Sequence, residues 1–100
     1  MMDYAYHYYN MAVSCSNTAI DQYNAAVSSY NKSIEDTGTP MVFGNYNKTV
    51  VSNALANYQK AIKLLDRISR YSDSQISAPA LLGKCLMGLE VTTQLMKTLR

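Results

Sequence analysis

From Tyr9 to Asp36 the chain can be written in four lines of seven, YNMAVSC, SNTAIDQ, YNAAVSS and YNKSIED, each keeping Asn second, Ala or Ser fourth, and Val or Ile fifth. An odd period reverses parity at every repeat, so it cannot hold one face of a β-strand. It matches two turns of a slightly underwound α-helix. With Val13 at position a, the a column reads Tyr6, Val13, Ile20, Val27 and Ile34, and the d column Tyr9, Ser16, Tyr23 and Tyr30. The g column is Ala5, Ala12, Ala19, Ala26 and Ser33, and the e column is Asn10, Asn17, Asn24 and Asn31.

The pattern predicts a helix from about residue 3 to 36. Its seam carries Val13, Ile20, Tyr23, Val27, Tyr30 and Ile34, walled by small residues on one side and amides on the other. Small residues at g would let a second helix come unusually close. The asparagine column either fixes register through hydrogen bonds or forms a wet edge. Asn, Ser, Thr and Tyr are mediocre helix formers, so packing on the seam must supply the order.

A second amphipathic run follows. Val51, Leu55, Tyr58, Ile62, Leu65 and Ile68 alternate steps of three and four, with Ala54 and Ala61 beside them, which predicts a helix over about 46–71. TGTPMVFGN is the intervening loop, and its Met41, Val42 and Phe43 are expected to cap the core. Ser77 can cap a third helix over about 78–99, with Pro79 tolerated in its first turn. That helix presents Leu82, Cys85, Leu86, Leu89, Met96 and Leu99 and is interrupted by Gly83 and Gly88. The expected architecture is a single all-α domain over 1–100, an antiparallel helical hairpin completed by a third helix as a three-helix or oligomeric bundle.

Tyr4, Tyr8, Met11 and Cys15 follow steps of four, three and four on another face of the first helix. Either the third helix packs there, or the stripe is a partner surface, for which Tyr and Met are well suited. Lys60, Lys63, Arg67 and Arg70 form a basic stripe opposite the apolar face of the second helix. It is either a solvated face or an anion-binding surface, and no aromatic is interleaved in its sequence to stack on bases. Residues 1–36 hold Asp3, Asp21, Glu35 and Asp36 against Lys32, a balance of −3, whereas the remainder holds eight Lys or Arg against Asp66, Asp73 and Glu90, a balance of +5. Opposite signs favour contact between the halves, within one molecule or head to tail.

Catalytic and metal-ligand spacings are missing. His7 has no Ser or Cys motif around it, the glycines at 38, 44, 83 and 88 form no phosphate loop, and Cys15 and Cys85 match neither a zinc nor a redox pair. Two free thiols are expected, with no cofactor and no enzymatic activity. The apolar runs are too short for a membrane span, and the first residues lack the pattern of a cleavable signal, so a cytoplasmic or signal-less exported protein is expected.

YNAAVSSYNKSI, residues 23–34, is similar to the YN-x-A-V-x-x-YN-x-x-I segment of LemA-type helical proteins, over a stretch that the heptad itself generates. GTPMVFG stands where that family has a Phe-Pro turn. NYQKAIKLLDRI, residues 57–68, resembles the second helix of a tetratricopeptide repeat, although Asn45, Lys48, Thr49 and Ser52 do not supply its first helix. In size and layout the chain resembles small helical subunits and chaperones of bacterial secretion machines. The resulting expectation is a protein-interaction or assembly module whose partner is another protein or a second copy. Nucleic-acid binding is the less expected alternative, as is action as a small inhibitor.

Overall fold

The computed structural model describes the backbone over residues 2–37 and 45–98 and the side chains over 4–32 and 48–98. It is all-α. Helix α1 spans Met2–Thr37, α2 spans Asn45–Asp66 and α3 spans Ala78–Thr98. At about 1.5 Å per residue the 36 residues of α1 account for the whole 54 Å length of the molecule, whose other dimensions are 21 and 16 Å. α2 packs along α1, and α3 packs on α2 while meeting α1 only sparsely. Ile34, Leu99 and the Met41, Val42 and Phe43 cap of the sequence reading lie outside the described side chains.

Each helix buries a column spaced by seven. In α1 the column is Ala5, Ala12, Ala19 and Ala26, with Ser16 beside it; in α2, Val51, Tyr58 and Leu65 alternate with Ala54 and Ala61; in α3 it is Ala78, Cys85 and Thr92. The seam is therefore rotated by one column from the expected one. Ile20 is 42% exposed, and Val13, Tyr23, Val27 and Tyr30 are half-buried flanks rather than knobs. The reason is steric. A methyl every seventh residue lets two backbones approach, and once they do, larger neighbours are displaced to the sides. Leu55 and Ile62 of α2 move to its flanks in the same way, and Leu86 of α3 turns outward at 50% exposure.

The asparagines at 10, 17, 24 and 31 are all exposed, at the wet edge. The inter-helix amide link is elsewhere, where Asn57 Nδ2 donates to Gln22 Oε1 at 3.0 Å.

Helix α2 stops at Asp66 instead of continuing to residue 71. Turn bonds from Ile68 N to Leu65 O (3.0 Å) and Tyr71 N to Ile68 O (2.9 Å) close it, and an isolated Ser72–Ser77 bridge leads into α3. Asp73 organises this connector: its Oδ1 accepts from Gln75 N at 2.8 Å and Ile76 N at 2.9 Å. Such self-bonding competes with helix continuation. Ser77 then caps α3 as its sequence predicts, Oγ accepting from Ala80 N at 3.4 Å.

The two glycines of α3 have different environments. A Cβ on Gly88 would lie 2.5 Å from the Tyr58 ring, whereas one on Gly83 would meet nothing within 4 Å. Tyr58 is 5% exposed and cannot swing aside freely. Gly88 thus lets α3 rest on that ring, and Thr92, fully buried one turn on, satisfies its hydroxyl by donating to Gly88 O at 2.7 Å.

These contacts set two expectations measurable by thermal or urea unfolding. Gly88→Ala should destabilise by about 1–3 kcal/mol through overpacking, and Gly83→Ala should stabilise by up to about 1 kcal/mol through helix propensity. Ala19→Leu should likewise cost about 1–3 kcal/mol, while Ile20→Ala should cost about 1 kcal/mol or less, because much of that side chain is already wet.

Candidate functional site

The first turns of α1 stand against the segment that follows α2, so residues far apart in sequence share one end of the rod. Their meeting forms an open cleft of about 560 Å³ lined by Tyr4, Ala5, Tyr8, Arg67, Ile68, Ser69, Arg70 and Tyr71. Two groups that the sequence presented separately, half of the Tyr4–Cys15 stripe and half of the Lys60–Arg70 stripe, are thereby brought together. The Arg67 guanidinium lies 5.4 Å from the Tyr8 ring centroid, and its Nη1 donates to the Tyr8 hydroxyl at 3.2 Å. Tyr4, at 66% exposure, stacks beside Tyr8 with centroids 6.4 Å apart. The aromatic that the basic stripe lacked in sequence is supplied by another helix.

The remaining members of both stripes are elsewhere. Met11 is exposed, and Cys15 packs against the core cluster that holds Cys85. Lys60 and Lys63 are exposed on α2, away from the cleft lining. Both cysteines are free, and burial pushes the Cys85 thiol up, an effect that the neighbouring Cys15 reinforces and a Ser16 hydrogen bond opposes. Cys85 is thus a core thiol rather than a nucleophile.

Behind the cleft a second feature ties α1 to the connector. Tyr6 Oη donates to Asp73 Oδ2 at 2.7 Å, Tyr71 Oη donates to the same oxygen at 3.2 Å, and the two rings meet edge to face at 6.1 Å. With two backbone amides on Oδ1, the four acceptor sites of the carboxylate are filled. The Tyr6 bond, with help from those amides, holds Asp73 at about 2. The same bond, reinforced by desolvation and the nearby negative charge, pushes Tyr6 up to about 12. Asp-Ser-Gln is a recognisable turn composition, but no periodic signal could have paired it with a tyrosine 67 residues away.

A third feature is the groove between α1 and α3. Because α3 leans on α2, Ile20 and Tyr23 of α1 face Met87 and Val91 of α3 across a small pocket of about 220 Å³ floored by Tyr58, Gly88 and Thr92. Met87 is 68% exposed and Val91 47%.

Among the described residues no group of three His, Cys, Asp or Glu could hold a metal ion, and no helix is long and apolar enough to cross a membrane. Comparison with protein-family models, curated proteins and solved structures finds no match to this chain.

The Tyr6–Asp73 tie has a definite pH signature. Lowering of the carboxyl from 3.8 to about 2 gives stability that is complete above about pH 4 and lost toward pH 2. Raising of the phenol from 10.0 to about 12 gives stability complete below about pH 10 and lost toward pH 12. The melting-temperature difference between the native chain and Tyr6→Phe should be level between these limits and shrink beyond both; a difference that varies through neutral pH would assign the effect to other groups.

Proposed function

We propose that this protein is a non-enzymatic helical assembly module, whose α1/α3 groove receives an amphipathic helix from another chain. The observation that carries this reading is the set of large apolar side chains left in water on the two walls of the groove: Ile20 on α1 and Met87 and Val91 on α3. Scattered apolar residues are ordinary at protein surfaces, but a concentration of them beside a preformed pocket is how helix-in-groove recognition is built. A helix laid between α1 and α3 would cover the half-exposed Val13, Ile20 and Val27 column and complete a four-helix packing. Methionine at the rim suits it, because its flexible thioether adapts to differently shaped partners. In layout this is a subunit or chaperone within a larger assembly. The absence of a carboxylate pair or metal cluster from the sequence pattern agrees with a role in contact rather than catalysis.

Light scattering over a range of concentrations, together with native co-purification, tests the reading. Association with a second copy or a helical partner is expected, and Met87→Lys combined with Val91→Glu should abolish it while leaving helical content unchanged. A strictly monomeric chain that carries no protein with it, or an association indifferent to both substitutions, would end the proposal.

A further inference from the structure

The cleft at the end of the rod differs in chemistry from the groove. We infer that it is a binding site for a small aromatic phosphate monoester of the nucleoside monophosphate class. Its two guanidinium groups, from Arg67 and Arg70, stand three residues apart on one short turn and are both exposed. Arg67 is held in place by an aromatic ring and a phenol hydroxyl, which use one of its five N–H donors and leave its charge uncompensated by that contact. Two carboxylates stand near the arginines: Asp66, exposed at the end of α2 immediately before Arg67, and Asp73 of the connector, whose oxygens already accept from Tyr6, Tyr71, Gln75 and Ile76. Asp73 is committed to the fold and does not pair with the arginines.

Two cations on one wall, of which Arg67 is held by Tyr8, favour a dianion over a carboxylate, and guanidinium forks match phosphate oxygens two at a time. Ser69 adds a hydroxyl at the same wall. The rest of the lining asks for a flat apolar group attached to that anion. Ala5 and Ile68 give an apolar floor, and Tyr4 offers a largely exposed ring already aligned within 25° of the Tyr8 plane. A base stacked on Tyr4 with its phosphate at Arg67 and Arg70 uses each of these surfaces. The volume of about 560 Å³ lies in the range of small-ligand pockets.

Titration of the full chain with AMP at low salt, followed by calorimetry and tyrosine fluorescence, tests the inference. Inorganic phosphate and adenosine serve as the two half-ligands. AMP is expected to bind about tenfold or more tightly than either half, and to weaken steeply as salt rises. Arg67→Gln and Arg70→Gln should each weaken AMP by about tenfold. Tyr4→Ala should bring AMP down to the level of inorganic phosphate without affecting phosphate itself. Lys60→Ala, outside the cleft, should change nothing. Because Arg67 also touches Tyr8, Arg70→Gln carries the test if Arg67→Gln unfolds the chain. The inference is overturned by no saturable binding of AMP up to about 10 mM, by equal affinity for AMP and inorganic phosphate in the native chain, or by AMP affinity unchanged in Arg70→Gln. An acidic peptide that binds the cleft in preference to AMP would also overturn it.

Discussion

Everything else in this structure follows from how closely α1 and α2 approach. Alanine at every seventh position of α1, from Ala5 to Ala26, meets a second helix that carries Ala54 and Ala61 on its own buried face. A methyl-lined contact gives little burial per residue, and the largest fully buried side chains are only Leu65, Val51, Thr92 and Cys85. Stability must therefore come from many short contacts spread along a 54 Å rod, rather than from one large-residue core. A close seam of this kind is intolerant of added volume and insensitive to changes at its flanks.

The close seam also determines what the tyrosines do. On α1 the alanines hold the contact line and the tyrosines stand beside it with their hydroxyls toward polar partners or water, whereas the Tyr58 ring of α2 is buried where Gly88 of α3 leaves it room. The four tyrosines near the start of α1 consequently do different things, although Tyr4 and Tyr8 share one face. Tyr9 packs on the core, Tyr6 binds Asp73, Tyr8 supports Arg67 and Tyr4 stands in solvent. Each outcome is a consequence of helical rotation relative to one fixed line of alanines.

The fold class was legible in the heptad because period alone separates helix from strand. The rotation of the seam was not, because the g, a and d columns share one broad face and a repeat of seven gives their spacing without saying which is central. Weight placed on the β-branched residues favoured Val13 and Ile20, whereas backbone approach favours Ala12 and Ala19. The end of α2 was hidden for a related reason. Ile68 and Arg70 continue the helical period through a segment where the Asp73 turn and its long-range bond to Tyr6 impose another backbone path. The cleft could not be seen at all in either stripe alone, since it arises from the pairing of residues 59 positions apart.

The sparse contact between α1 and α3 then follows from the same constraint. α3 is drawn onto α2 by the Gly88–Tyr58 contact, which permits close approach at one place along its length. On the α1 side the residues that face α3 across the pocket are Ile20 and Tyr23, larger than the alanines buried against α2. A groove is thus the expected result of one helix with two kinds of face, methyl-lined toward α2 and bulkier where Ile20 and Tyr23 meet α3. The cleft arises differently, where the polar turn after α2 meets the aromatic first turns of α1. One surface is apolar and lies midway along the rod, the other is cationic and aromatic and lies at its end, so substitutions at Met87 or Val91 and at Arg67 or Arg70 act on physically separate features.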